Sequence, residues 1–199
     1  MREVAACVRA GGTVVFPTDT VYGIGCDPDN EVAIDSIYEA KRRSAKKPLA
    51  LHVAQQSAAQ PFVADLTDCA QLAMQRLWPG PVAIVVRRRA ERYARAACGL
   101  GTISLRCPNH DLCRALLRAT GPLAATSANV SGSAAFTGDA EDHLRDLPDA
   151  TLAVLAGPTP WRQESTILDC TGDTVAIIRE GAMSAAAILE KLGTSPPRS

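Results

Sequence analysis

Thr13-Val14-Val15-Phe16-Pro17-Thr18-Asp19-Thr20-Val21-Tyr22-Gly23-Ile24-Gly25 is the segment on which the reading of this chain turns. Thr13 to Phe16 is β-branched and apolar, which predicts a short buried strand. Pro17 has no N–H to continue a ladder and ends it. Thr18 to Gly25 then reads as a loop with two threonine hydroxyls, a carboxylate and a tyrosine. Loops at the carboxyl ends of strands commonly build sites. The same residues also suit an ordinary turn, because Thr and Asp bond the local backbone.

Outward from this segment, helical and strand patterns alternate. Residues 1–10 read as a short amphipathic helix stopped by Gly11-Gly12. Glu31 to Arg43 carries apolar residues at 33, 34, 37 and 40, a helical spacing. Leu49 to Val53 reads as a strand, and Leu66 to Leu77 as a helix stopped by Trp78-Pro79-Gly80-Pro81. Val82 to Val86 is continuously apolar, which predicts a strand buried on both faces. Thr102 to Leu105 is a further strand, and Asp111 to Ala119 a helix capped by Asn109. Then come a strand at 123–126, a short helix at 139–147, and strands at 152–155, 165–169 and 175–179. Ala185 to Leu192 is the last helix. Strands and helices in this order predict one α+β (mixed α/β) domain, a single-domain mixed β-sheet with flanking helices. It spans residues 1–192, with 193–199 as a flexible tail.

Composition narrows the function classes. The chain has 199 residues, 47% of them hydrophobic, which suits one packed domain. Its 21 Lys+Arg balance 21 Asp+Glu, so it is not a globally basic nucleic-acid binder. Aromatics are 4%, too few for a base-stacking platform. There is no apolar run of about 18 residues, hence no membrane span. The N-terminus carries no secretion signal, which places the chain in the cytoplasm. Seven scattered cysteines, none spaced C-x-x-C, read as buried small hydrophobes in a reducing compartment. No histidine spacing suits a protein-built metal site, so none is expected.

Three further segments carry chemistry. Lys41-Arg42-Arg43-Ser44-Ala45-Lys46-Lys47 packs five cations into seven residues at a helix end. Such a run suits either a solvated helix terminus or a grip on polyphosphate. No phosphate-binding loop of the G-x-x-x-x-G-K-[ST] type occurs, so a nucleotide would need another device. Ser127-Ala128-Asn129 follows an apolar strand, and its surroundings hold no nucleophile elbow. Thr102 to Arg106, Ser165 to Asp169 and Arg179-Glu180-Gly181 place polar or cationic residues at strand ends, as a polar pocket over a sheet would require. His52, inside an apolar run, reads as a hydrogen-bonded structural histidine.

Taken in order, these motifs resemble the YrdC-like family, the L-threonylcarbamoyl-AMP synthases, over roughly residues 3–190. The marks are the segment 17–25, Lys41-Arg42-Arg43, Lys47-Pro48-Leu49, His52, Trp78-Pro79-Gly80-Pro81, Thr102 to Arg106, Ser127 to Asn129, 165–169 and 179–181. The resemblance implies a twisted mixed sheet with a concave basic cavity. It implies an enzyme, a nucleotidyltransferase that joins L-threonine, bicarbonate and ATP into threonylcarbamoyl-AMP and pyrophosphate. This is the first step of N6-threonylcarbamoyladenosine modification of tRNA. The chain looks like the short form, without the second domain of some members.

By the same resemblance, Lys41, Arg43, Ser127 and Asn129 are the catalytic set. Arg43, Lys47, Thr102, Asn129, Thr137 and Arg179 would bind ATP. Thr20, His52, Arg106, Ser127 and Ser165 would bind threonine, with Arg106 on its carboxylate. Mg2+ would accompany ATP through phosphates and water. Implied partners are tRNA, by direct contact, and the threonylcarbamoyl-transferase proteins. Three other readings share the fold: an RNA-binding or ribosome-maturation protein, a carbamoyl-transfer domain as in hydrogenase-maturation proteins, and a paralogue without synthase activity.

Overall fold

β-branched and apolar runs pair into one sheet whose faces are filled very differently. In the computed structural model, residues 1–89, 92–139 and 147–193 are described. The elements are α1 (Arg2–Arg9), β1 (Val14–Phe16), β2 (Gly23–Cys26), α2 (Glu31–Ala40), β3 (Ala50–His52), a 3-10 helix (Gln56–Phe62), α3 (Asp68–Leu77), β4 (Val82–Arg87) and β5 (Thr102–Arg106). They continue with α4 (Asp111–Thr120), β6 (Leu123–Ser127), β7 (Leu152–Ala153), β8 (Thr166–Asp169), β9 (Ala176–Arg179) and α5 (Ala185–Leu192). Among the described residues the sheet has nine strands in the order β7-β1-β2-β6-β3-β5-β4-β8-β9. Pairing is mixed: β3 and β5 are parallel, as are β4 and β8, whereas β4 and β5 are antiparallel. The expected mixed sheet with flanking helices is therefore observed.

Period-two alternation sorts the strand residues. Ile24, Leu51, Ile84, Leu105 and Leu168 enter a large core with Ile34 and Ile37 of α2, Met74 and Leu77 of α3, and Ile188 of α5. The opposite face is covered only in part. There Val14, Phe16, Leu123 and Ala125 pack against Val4 and Val8 of α1 and Cys113, Leu116 and Leu117 of α4. Further along the same face stand Ala50, His52, Ala83, Val85, Ser104, Arg106 and Ile167, which line a cavity. Register confirms the shared face, with Ala50 opposite both Ser104 and Ala125, and His52 opposite Arg106. Ala50, Ala83 and Ser104 are too small to fill the space that core residues occupy elsewhere.

Several elements differ from the sequence reading. Gly23–Cys26 is a strand, β2, rather than loop. Two glycines lower its strand propensity, but they are what its place requires. A Cβ on Gly25 would meet the Phe16 ring at 3.0 Å and the Ala125 Cβ at 3.0 Å. Helix α2 ends at Ala40 rather than Arg43, and Arg42 has φ 49° just beyond it. The cap of α4 is His110, not Asn109: its ring nitrogen Nδ1 accepts from the Cys113 N–H at 3.3 Å. The predicted helix at 139–147 and the tail from 194 lie outside the described residues, 139, 147 and 193 excepted. All seven cysteines are free thiols, four of them buried. Among the described residues, no helix is long and apolar enough to cross a membrane.

Gly181 fixes the rim of the cavity. A Cβ there would run into the Glu164 carbonyl oxygen and approach the Ser165 carbonyl oxygen at 2.7 Å. Both obstacles are backbone, so relief would move the segment that carries Ser165. Gly181→Ala should lower stability by about 1–3 kcal/mol, as overpacking does. A thermal melt checks it, with a lowered midpoint expected.

Candidate functional site

The cavity holds about 420 Å³. Its walls come from the loop before β2, the basic loop after α2, the open faces of β3 to β6, and the segment entering β8. Of the residues anticipated from sequence, it brings together Thr20, Arg43, Lys47, His52, Arg106, Ser127, Ser165 and Arg179. Lys41, Thr102, Asn129 and Thr137 are not on its wall.

At one end stands Arg106, the last residue of β5, with only 4% of its surface exposed. Its Nη2 meets Asp19 Oδ1 at 2.5 Å, its Nη1 donates to Thr20 Oγ1 at 2.7 Å, and its Nε to the Gly80 carbonyl at 3.4 Å. A buried guanidinium is costly unless paired, and Asp19, itself 2% exposed, supplies the pairing charge. The hydroxyl directions follow from donor counting. Thr18 Oγ1 donates to the Val21 carbonyl at 2.6 Å, so its proton is used. The Thr20 hydroxyl, 3.0 Å from Thr18 Oγ1, must therefore donate to it. Thr20 then offers a ligand only an oxygen lone pair.

His52 reaches the same answer by another route. Its Nδ1 lies 3.3 Å from the Ala50 carbonyl, an acceptor, so Nδ1 carries the proton. Its ring packs edge-on against Phe16, at 5.9 Å between centroids. Burial first, and the charge of Arg106 second, push its pKa down to about 3, while the Ala50 carbonyl opposes them. The ring is neutral, with Nε2 left as an acceptor. The reading of His52 as a hydrogen-bonded structural histidine holds, and the same ring also lines the cavity.

The other end is cationic. Arg43 is turned by its own loop: Nε donates to the Lys47 carbonyl at 3.2 Å and Nη2 to the Pro48 carbonyl at 3.0 Å. Tyr38 braces the same loop by donating to the Lys47 carbonyl at 3.0 Å. Near enough to Arg43 for their charges to oppose, Arg179 pairs with Glu164 Oε2 at 2.5 Å and donates to the Ser165 carbonyl at 2.8 Å.

Lys41 takes a different place. It is 1% exposed, and its ammonium donates to the carbonyls of Ser127 and Asn129 and, at 3.3 Å, to Asn129 Oδ1. Three acceptors use all three of its protons. Burial, then the charge of Arg43, push its pKa down to about 8, with Glu164 opposing. The Asn129 side chain donates onward to the Ser133 carbonyl at 2.7 Å. Lys41 thus braces the turn whose Ser127 reaches the wall. Thr137 donates to Asp139 Oδ2 at 2.8 Å, and Thr102 begins β5 at the end away from Arg106.

Asp19 and Ser104 lie inside segments that the sequence singles out, but neither receives a role there, and Glu164 is missed. Asp19 was visible between two threonines, but its turn propensity masked a buried charge. Glu164 carries no local signal. Among the described residues, no three His, Cys, Asp or Glu side chains gather as a metal cage.

The open part of a partly covered sheet face thus forms a cavity that carries cationic and hydroxyl side chains over a floor of small apolar ones. The chain belongs to the Sua5/YciO/YrdC family, whose model, described as "Telomere recombination", matches residues 6–181. The threonylcarbamoyl-AMP synthase of Bacillus subtilis (strain 168) is 36% identical over 185 residues, covering 92% of this chain and 53% of that protein. The crystal structure of Pyrococcus abyssi Sua5 complexed with L-threonine superposes with a TM-score of 0.88 at 32% identity, over 96% of this chain and 57% of that one. Escherichia coli YciO gives a TM-score of 0.76 at 25% identity, over 94% and 91% of the two chains. The chain thus spans about half the length of the Bacillus and Pyrococcus relatives. The family read from the motifs and the mixed-sheet fold are both borne out.

The lowered pKa of His52 makes a pH prediction. In the unfolded chain it titrates near 6.5, and in the folded chain near 3. Between these values the unfolded state binds the extra proton, so acid favours unfolding. Its contribution to stability is complete above pH 6.5 and is lost at up to about 1.4 kcal/mol per pH unit as pH falls toward 3. Urea titrations over this window should show a shallower acid decline in His52→Gln than in the wild type.

Proposed function

We propose that this chain is an L-threonylcarbamoyladenylate synthase. It joins L-threonine, bicarbonate and ATP into threonylcarbamoyl-AMP, with pyrophosphate and water as the other products. The observation that carries the reading is that one cavity holds two chemically distinct groups of side chains, in a chain whose relatives bear this name. Arg106, Thr20 and His52 form one, joined by a hydrogen bond and by strand register; Arg43 and Arg179 form the other, with the Lys47 and Ser165 carbonyls bonded to them.

The first group matches a hydroxy-amino acid. Arg106 offers N–H groups that suit a carboxylate. Thr20 Oγ1 and His52 Nε2 offer lone pairs that suit an ammonium or a hydroxyl. The amine attacks bicarbonate-derived CO2 only when unprotonated, giving an N-carboxylate. That carbamate oxygen then attacks the α-phosphorus, and the bond to pyrophosphate breaks. Such a displacement needs positioning and charge neutralisation rather than a protein nucleophile. Arg43, Lys47 and Arg179 supply cationic charge beside the phosphates, and Ser127 would sit between threonine and nucleotide. Asn129 and Lys41 hold the Ser127 turn, while Thr102 and Thr137 would meet the nucleotide from beyond the wall.

The donor set suits a Mg2+ that arrives on the triphosphate and keeps its waters, with Glu164 as the wall carboxylate that would hold it through water. Bound there, the ion would neutralise phosphate charge. The product is consumed on tRNA, so transient contact with tRNA and with the threonylcarbamoyl-transferase proteins belongs to this reading. A cytoplasmic setting belongs to it as well.

Two measurements test the proposal. Pyrophosphate release should require ATP, threonine and bicarbonate together, and omission of any one should abolish it. Release without threonine would overturn the assignment, and no release under any condition would favour a paralogue that keeps the fold alone. In calorimetry, Arg106→Ala should lose threonine binding by about 2–4 kcal/mol. Unchanged affinity would remove Arg106 from the carboxylate.

A further inference from the structure

Asp19 does not itself line the cavity, yet its carboxylate pairs with Arg106, which does. Oδ1 lies 2.5 Å from Arg106 Nη2. Oδ2 is buried and finds no hydrogen-bond partner among the described residues. A carboxylate oxygen buried without a donor is costly, and a turn residue has easy routes to water. Its loop is instead held shut. The Asp19 carbonyl accepts from the Trp161 N–H at 3.0 Å, and the Thr20 carbonyl accepts from Thr159 Oγ1 at 2.7 Å. The segment entering β8 thus clamps Asp19 under Arg106.

From this juxtaposition we propose that Asp19 is a positioning and specificity residue that makes the Arg106 end of the cavity select a zwitterion over a simple carboxylate. The proposal rests on the threonine reading above and deepens it. Two consequences of the pairing support it. Asp19 and Thr20 each take one terminal N–H of Arg106, which sets the plane of the guanidinium and leaves one N–H on each terminal nitrogen. Asp19 also cancels the Arg106 charge, so this end of the cavity carries no net charge; the neutral His52 adds none. A ligand bearing only a carboxylate meets a site already neutralised. A ligand bearing a carboxylate and an ammonium meets donors on Arg106 and acceptors on Thr20 and His52, and its ammonium is spared the repulsion that an uncompensated Arg106 would exert.

Calorimetric titration with L-threonine and with 3-hydroxybutyrate, which keeps the carboxylate and hydroxyl but lacks the amine, tests this. The wild type should prefer threonine by about thirtyfold or more. In Asp19→Asn, threonine should weaken by about tenfold or more while 3-hydroxybutyrate holds or tightens, so the preference collapses. An equal loss for both ligands would mean a merely structural role and would overturn the proposal. So would a wild-type preference below about threefold, a result that stands even if the variant fails to fold. Threonine binding without discrimination sinks the role of Asp19 alone, whereas no threonine binding in the wild type sinks the substrate reading and this inference together.

Discussion

Burying a guanidinium at the end of a central strand is the constraint around which the cavity is arranged. Arg106 sits almost wholly inside the protein, and a charge in that position must be paired where it stands. Its partners come from the loop between β1 and β2, more than eighty residues earlier in the chain. That loop must therefore fold back over the end of β5. The Tyr22 hydroxyl, bonded to Gly157 and Ala156 at 2.9 and 2.8 Å, and Thr159 close it from the other side. The ion pair thus fixes one end of the cavity by joining three distant segments.

The cavity exists because the sheet is covered unevenly. On one face α2, α3 and α5 bury large aliphatic side chains. On the other, α1 and α4 cover only the portion around Phe16 and Leu123. Beyond them the strands present alanine and serine where leucine or isoleucine would close the space. The same alternation that builds the core by putting Leu51 and Leu105 on one side puts His52 and Arg106 on the other. Core and site are therefore one pattern read on two faces.

The basic segment after α2 shows how tertiary context divides a charge run. Its residues are adjacent in sequence, yet they do different work. Arg43 and Lys47 reach the cavity, while Lys41 is drawn inside to hold the turn at Ser127 and Asn129. Helix geometry alone could not say which cation turns inward. That depended on the Ser127 and Asn129 carbonyl oxygens, which converge on its ammonium where β6 ends.

Local pattern carried most of the architecture. Periodicity and turn residues placed α1 to α5 and most of the strands, because burial on one face imposes a period that survives in the sequence. The ordered motifs carried the family, and with it most of the residues that line the cavity. β2 escaped, since its glycines answer to the Phe16 ring across the sheet rather than to any strand propensity. His110 took the cap of α4 from Asn109 for a similarly local geometric reason. What only the tertiary structure decided was pairing: Asp19 with Arg106, Lys41 with the carbonyls of the Ser127 turn, Glu164 with Arg179. Each pairing depends on which distant groups arrive unsatisfied at the same place. Spacing along a chain does not encode that, because the electrostatic cost arises only once folding has removed the water.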